Sequence, residues 1–455
     1  MVKMKTSLLL ITMVLSGFLV PGCKTSNRIA IEKGSVVRIS DDSLLTLTQY
    51  RTFQYFWDGA EPVSGMARER YHVDGEYPEN DMNVITTGGT GFGLMAILVG
   101  IERHFITRHE GYERLSLIVN NLAKADRFHG VWPHWLWGET GKVKPFSPKD
   151  NGADIVETAY LIQGLLTVRE YFRNGNDNEK KLAESIDKLW KEVDWNWFTK
   201  NGKANAIYWH WSPDYEWEMN FAIEGYNECL ITYVLAASSP THPVSPDVYH
   251  KGWARNGNIV SEKVQYGRPL ILKHNGAEQY GGPLFWAHYS YLGLDPRKIR
   301  DKYAGYWDLN RNHTLINWQW CKENPLNHKG YGESCWGLTA GYSPMGYAAH
   351  APGVQNDLGV ITPTAALSSF PYAPEKSMIA LKYFYFELGD KIFGKYGFYD
   401  GFNQGKGWYP KRYLAIDQGP IVVMIENHRS ALLWNLFMAA PEIRIGLSRL
   451  GFSID

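Results

Sequence analysis

Cysteine is scarce in this chain, four residues in 455. Beyond Cys23 there are Cys229, Cys321 and Cys335, an odd number with no close pairing of the kind that binds zinc or cycles a disulfide. A disulfide framework is therefore excluded, and buried, inert thiols are expected. Net charge is missing as well: 47 Lys plus Arg balance 47 Asp plus Glu, so nothing draws the chain to nucleic acid or to an anionic lipid surface. The apolar run Leu8 to Val20 is too short to span a bilayer. No self-similarity recurs at a period of about 20 to 50 residues, which argues against a short-repeat solenoid. Strand-like alternation is sparse and confined to short pieces near Ala206 to Trp211.

Several catalytic motifs are also absent. There is no nucleophile elbow and no P-loop, and His129 and His134 lack the spacing of a zinc-binding helix. Gly91-Phe92-Gly93-Leu94-Met95-Ala96 has the form of a dinucleotide fingerprint, but no strand precedes it. Its glycines are expected to let a helix start approach another backbone or a sugar. Neither a metal nor a cofactor is expected.

What is present begins with the N-terminus. Lys3 and Lys5 precede the apolar run, as in a signal peptide, and the run ends at Val20-Pro21-Gly22-Cys23, similar to a bacterial lipobox although Pro21 is unusual there. Residues 1–22 are expected to be a lipoprotein signal peptide, Cys23 the acylated first residue of the mature chain, and 23–40 a polar tether. That places the protein in a bacterial cell envelope, periplasmic or outer-surface, touching membrane only through the lipid. An ordinary cleaved signal peptide is the other reading.

Residues 41–455 are read as a single all-α domain. Helical spacing predicts helices over about Leu44 to Trp57, Gly91 to Phe105, Gly111 to Phe128, Ala153 to Phe172, Asn178 to Val193, Tyr226 to Ala237, Pro296 to Trp307, Thr362 to Phe370, Glu375 to Phe386 and Val422 to Met438. Weaker patterns cover Leu284 to Leu292 and Pro441 to Leu450. About a dozen helices joined by long aromatic loops, such as Val131 to Trp137, Tyr208 to Trp211 and Gly405 to Tyr409, fit an (α/α)6 toroid with inner helix N-termini around a central cleft.

Carboxylates gather at loop–helix junctions. With 3.6 residues per turn, Asp150, Asp154 and Glu157 are expected on one face at a helix entrance, with Asp150 able to serve as the cap. Glu224 and Glu228 are expected one turn apart, and Asp417, Glu426 and Glu333 occupy similar junctions. Each alone reads as a cap or an ion pair. Together with 18 Trp and 28 Tyr they suit a sugar cleft, because glycoside hydrolysis needs two carboxyls in opposite protonation states and rings that stack on pyranoses. Trp135, Trp137, Trp211 and Trp336 are candidate platforms, with His134 and Arg429 as polar contacts.

In Thr86 to Gly93, Asp150 to Glu157, Tyr226-Asn227-Glu228, Ser239 to Pro243, Glu333 to Gly341 and Ile416 to Asn427, the chain resembles glycoside hydrolase family 144, the β-1,2-glucan hydrolases. The resemblance runs from about Leu45 to Leu450. It implies an (α/α)6 toroid, metal-independent hydrolysis of β-1,2-glucan with inversion, and sophorose or short β-1,2-gluco-oligosaccharides as products. It places Glu228 as the acid, with Glu224 a competitor, Asp417 as the base, and Asp150, Asp154 and Glu157 as subsite carboxylates. Glu333 and Glu426 fall within matched stretches as further substrate contacts. A glucan chain is the expected partner and a monomer the expected state, with endo against exo action left open. The alternatives are an α-glucan exo-hydrolase, a non-catalytic glycan-binding surface lipoprotein, which would need no buried acids, and a polysaccharide lyase, which would need a uronic substrate.

Overall fold

Helices apolar on every side alternate with helices striped on one side, and that difference decides which layer each joins. The computed structural model describes residues 39–77 and 79–454, so the expected signal peptide, Cys23 and nearly all of the tether lie outside the described residues. Asp41 to Asp455 makes one contact-defined unit.

In chain order the helices are α1 (Asp41–Trp57), α2 (Thr87–Glu102), α3 (Arg108–Leu122), α4 (Ile155–Phe172), α5 (Asp177–Lys191), α6 (Leu230–Ser238) and the single turn α7 (Pro246–Val248). They continue with α8 (Tyr306–Glu323), α9 (Pro363–Leu367), α10 (Pro374–Lys382), α11 (Gly389–Ile392), α12 (Ala415–Ser430), α13 (Leu432–Ala439) and α14 (Pro441–Arg449). α2 is buried from Thr87 to Ile101, α6 and α9 are buried throughout, and α4 and α12 nearly so. These form an inner layer in which α12 packs on α2, α2 on α4, α4 on α6 and α9 on α12. Two 3-10 turns, Leu284–Ala287 and Tyr289–Tyr291, continue the layer from α6. They reach the chain beyond α9 through His288 Nε2 at 3.0 Å from Ser369 Oγ and Tyr372 Oη donating to the Ala287 carbonyl at 2.9 Å. Around them lie α1, α3, α5, α8, α10 and α14, each packed on an inner neighbour or, for α3, on α2 and α5. The striped α5 is typical: it buries Leu182, Ile186, Leu189 and Trp190 and turns its lysines outward.

The layers approach most closely where α2 crosses α4. A Cβ built on Gly91 would stand 2.2 Å from the Tyr160 carbonyl oxygen, and one on Gly164 would stand 2.2 Å from that of Gly91. Of the fingerprint-like glycines, Gly91 therefore serves backbone approach, one of the two sequence-based expectations, while Gly93 makes room for the Phe56 ring of α1.

Four expectations need correction. Residues 296–305 are not helical; the helix is α8, which starts at Tyr306, near the end of the predicted Pro296 to Trp307, and runs on to Glu323. Its buried residues mix Tyr306, Leu309, Ile316 and Trp320 with Asn310, His313 and Asn317, the last three bonded to Tyr372, the Gly282 carbonyl and the Leu338 carbonyl, so polar residues interrupt the apolar stripe. Residues 226–229 precede α6 instead of belonging to it. The run Val422 to Met438 is broken at Ala431, whose φ of 59° ends α12 and starts α13. The entrance at 150–157 is extended through Asp154, so one helical face does not unite its acids.

Candidate active site

Short ladders at one end of the inner helices aim the cleft residues. Val84–Thr86 leads into α2, so a strand does precede the motif Gly91 to Ala96, against the sequence-based expectation, and it pairs with Trp135–Trp137, placing Thr86 opposite Trp135. Ala153–Asp154 leads into α4 and pairs with His210–Trp211, placing Asp154 opposite His210. Arg412–Leu414 leads into α12 and pairs with Arg70–His72. Each helix N-terminus thus opens on a strand that carries cleft side chains.

Asp154, not Asp150, is the cap of α4. Its Oδ1 accepts from the amides of Val156 (3.0 Å) and Glu157 (2.9 Å), while Oδ2 lies 3.0 Å from His134 Nδ1. Asp150 reaches the same cluster from the turn before the strand, its Oδ2 3.6 Å from His210 Nε2 and 3.9 Å from His134 Nδ1. Glu157 turns toward α2, where Oε2 accepts from Gly88 N at 2.8 Å. A Cβ at Gly88 would sit 2.5 Å from that oxygen, so only glycine leaves the amide open to it.

These charges tune one another. Burial alone would lower His134, but Glu157, Asp154 and Asp150 outweigh it and lift the imidazole to about 9. Burial would raise Asp154, but the hydrogen bond and charge of His134 hold it below its ordinary value. Asp150 is pushed up to about 7, by burial first and then by the charge of Asp154, and burial raises Glu157. At neutral pH the centre of the cluster is an imidazolium bonded to a carboxylate. His134, Asp150 and Asp154 also offer ligand atoms within 4.8 Å of one another, a spacing that could hold a metal ion, but such an ion would have to displace the imidazolium proton.

Two adjoining cavities meet here. One of about 720 Å³ is lined by Asp150, His210, Phe221, Asn227 and Trp286 among others. The second, about 480 Å³, is lined by Arg70, Trp135, Glu157, Tyr289, Tyr347 and others. His134, Phe146, Trp209, Phe285 and Glu228 line both. Glu228 therefore stands where they join. Burial, aided by the charges of Glu157 and Asp154 against a backbone hydrogen bond, raises its carboxyl to about 7. Asp417, in the first turn of α12, lies just behind the smaller cavity, whose lining includes its neighbour Ile416. Burial comes first and Asp400 second in raising Asp417 well above the carboxylate range, and Asp400 is raised too. Asp400 accepts from Tyr342 N at 2.5 Å, and burial, joined at Asp417 by the charge of Asp400, favours the protonated form in both carboxyls.

A family model described as "Putative glucoamylase" matches residues 220–441. The structure superposes on an endo-β-1,2-glucanase from Chitinophaga pinensis, solved with sophorotriose and glucose, with a TM-score of 0.90 and 64% identity over 91% of this chain and 99% of that one. The chain belongs to glycoside hydrolase family 144. Another member, the exo-β-1,2-glucooligosaccharide sophorohydrolase of Parabacteroides distasonis, is 46% identical over 426 residues, 90% of this chain; the chain spans 58% of that relative's length. An endo-β-1,2-glucanase from Talaromyces funiculosus, at 13% identity and a TM-score of 0.64, shares the fold of this family 144 chain across 91% of both. The α/α toroid is thus the fold of the family 144 chain.

Not every residue singled out in the sequence of this family 144 member reaches the cleft. Glu224 is exposed in the loop that Gly225 (φ 76°) turns, and lines neither cavity; its part is to accept at its carbonyl from Asn275 and Arg255. Glu333 lies outside both linings, 3.6 Å from Lys322, with its side chain 59% exposed. Trp336 is fully buried, donating to the Lys376 carbonyl. Trp211 packs against His129, Trp197 and Phe128. Arg429 binds Thr46, Gln49 and Asp42 on α1, and Glu426 binds Arg103 through both carboxylate oxygens, at 2.7 and 2.8 Å. Glu426→Ala is accordingly expected to cost about 3 kcal/mol of stability by stranding Arg103, while KM stays unchanged; thermal melts and substrate titration check both.

The structure adds residues that the sequence reading passed over. Phe146, Trp209 and His210 line the cleft, and the last two belong to an aromatic loop that had already stood out. Asp400 and Tyr347 carried no signal, because nothing local links them to Asp417. Tyr347, on the hairpin strand Gly346–Ala349, feels Asp417, Asp400 and Glu228 only because the hairpin folds over the cleft.

Proposed function

We propose that this protein hydrolyses β-1,2-glucan with inversion, Glu228 protonating the leaving glycosidic oxygen and Asp417, coupled to Asp400, accepting the proton of the attacking water directly or through a substrate hydroxyl. The observation that carries the reading is a carboxyl raised to about 7 at the junction of two cavities. A carboxyl so placed is protonated when substrate arrives and still acidic enough to give its proton up. Burial raises both Asp417 and Asp400, the charge of Asp400 raises Asp417 further, and the pair acts as base in the form from which a proton has left. His134, Asp150, Asp154 and Glu157 offer a fixed set of donors and acceptors for sugar hydroxyls, while Trp135, expected as a platform, lines the smaller cavity with its ring covered by Arg70, Lys144 and Phe146. The named substrates of the family relatives support the same linkage.

Cavity space on both sides of Glu228 favours internal cleavage. A time course of the mature protein on linear β-1,2-glucan tests this: a ladder of sizes at the earliest points is expected, and sophorose alone from the start would move the reading to exo action. If starch is degraded and β-1,2-glucan is not, the substrate reading fails. Asp417→Asn is expected to lower turnover by at least about 100-fold while the melting temperature holds or rises, since the change relieves a buried like-charged pair. Near-normal turnover would remove Asp417 from the mechanism.

The envelope location belongs to the same proposal. Lys3, Lys5, the apolar run and Gly22-Cys23 support acylation of Cys23, with one catalytic domain following the tether as a monomer. Among the described residues no helix is long and apolar enough to cross a membrane. Cys23→Ser should move the protein from the membrane fraction to the soluble one.

A further inference from the structure

Trp135 and Trp137 sit two residues apart on one strand, so both rings project from the same face, about 7 Å apart. Their surroundings differ. Trp135 is covered by Arg70, Lys144 and Phe146 and lines the smaller cleft cavity. Among the described residues no ring or cation stacks on Trp137, which is partly exposed and lines a separate cavity of about 320 Å³ with Asn80, Asn83, Glu139 and Thr140. The polar side of that cavity is held in place: Asn83 Nδ2 donates to Glu139 Oε1 at 2.8 Å, and Arg68 Nη2 donates to Asn83 Oδ1 at 3.3 Å.

From this arrangement we infer that Trp137, with Asn80 and Glu139, forms an outlying subsite that holds a neutral pyranose of a long glucan chain leaving the cleft past Trp135. An indole with no ring or cation stacked on it can take the apolar face of a pyranose, and a carboxylate beside an amide takes its equatorial hydroxyls. The size lies at the lower end of small-ligand pockets. An anionic ligand is disfavoured, because Glu139 faces the cavity and the nearby guanidinium of Arg68 is engaged by the carbonyls of Gly59, Ala60 and Met82. Continuity with Trp135 along one strand face selects a chain already bound in the cleft over an unrelated sugar.

The inference rests on the β-1,2-glucan reading. Its test compares Trp137→Ala with the unaltered protein on long β-1,2-glucan and on a short β-1,2-gluco-oligosaccharide, following KM and kcat separately. The expected result is a KM about tenfold higher on the long chain, near-constant kcat, and less than about a twofold change on the short one; Trp137→Phe should restore most of the loss. Exposed Glu139→Ala, which keeps the indole, should raise the long-chain KM about threefold and serves if Trp137→Ala folds poorly. Equal effects on both lengths, or none on either, would overturn the subsite while leaving the hydrolytic reading intact. An unaltered protein that neither cleaves β-1,2-glucan nor is retarded by it in affinity electrophoresis would overturn both.

Discussion

Glu228→Gln is expected to lose turnover on β-1,2-glucan by about 100- to 10,000-fold, the range that proton transfer by one placed group supplies. The side chain keeps its size and stays at the cavity junction, so KM should move little. The pH dependence carries more information. With its carboxyl at about 7, Glu228 is mostly protonated below neutrality, and kcat/KM should fall as pH rises through about 7. The amide has no proton to lose, so the residual activity of the variant should lack that limb. Stability changes in the opposite sense. The folded carboxyl titrates above its ordinary 4.5, so wild-type stability is greatest below that value and declines as pH rises toward 7. The loss is at most about 3 kcal/mol, reduced by the partial exposure of the side chain to the cleft. Glu228→Gln should therefore melt higher than the wild type at pH 8 and close to it at pH 4. A variant with wild-type turnover, or one that keeps the alkaline limb, would take Glu228 out of the acid role.

Gly91→Ala is expected to destabilise the fold by more than about 4 kcal/mol, a fall in melting temperature of about 5 °C or more for a domain of this size. Helix propensity alone predicts the reverse, a gain of about 1 kcal/mol for Ala over Gly within a helix. Packing prevails because the new methyl would lie 2.2 Å from the Tyr160 carbonyl oxygen and 2.6 Å from Leu161 Cα. Both belong to backbone of α4, which cannot rotate away as a side chain would. The helices would have to separate, moving Gly88 from Glu157 and loosening the acidic cluster as well. A melting temperature within about 2 °C of the wild type would show that the crossing tolerates separation.

The site was legible where chemistry and local pattern coincide. Asp154, Glu157, Glu228 and Asp417 each sit at or just before the first turn of a buried helix, and that junction is visible as polar loop followed by apolar run. It was illegible where long-range partners decide a residue's role. Glu426 and Arg429 look like cleft residues in sequence, and only the packing of α12 beside α1 and α2 commits them to Gln49 and Arg103. Trp336 has the composition of a platform but is enclosed by core. α8 escaped notice because inward Asn310, His313 and Asn317 interrupt its apolar stripe, and the groups that satisfy them come from other segments.

From the amino-acid sequence follow the all-α toroid, the family, the aromatic and acidic character of the cleft, and the helix entrances that supply its carboxylates. These depend on composition and on patterns within one turn or loop, where neighbours in sequence are neighbours in space. The tertiary structure alone decided that Asp154 caps α4 from the end of a strand while Asp150 enters from the turn before it, that His134 is held as an imidazolium among them, that Asp400 joins Asp417, and that Glu224 faces away. Each of these depends on burial and on charges tens to hundreds of residues distant in the chain, and a carboxyl's protonation state is set by just those two quantities.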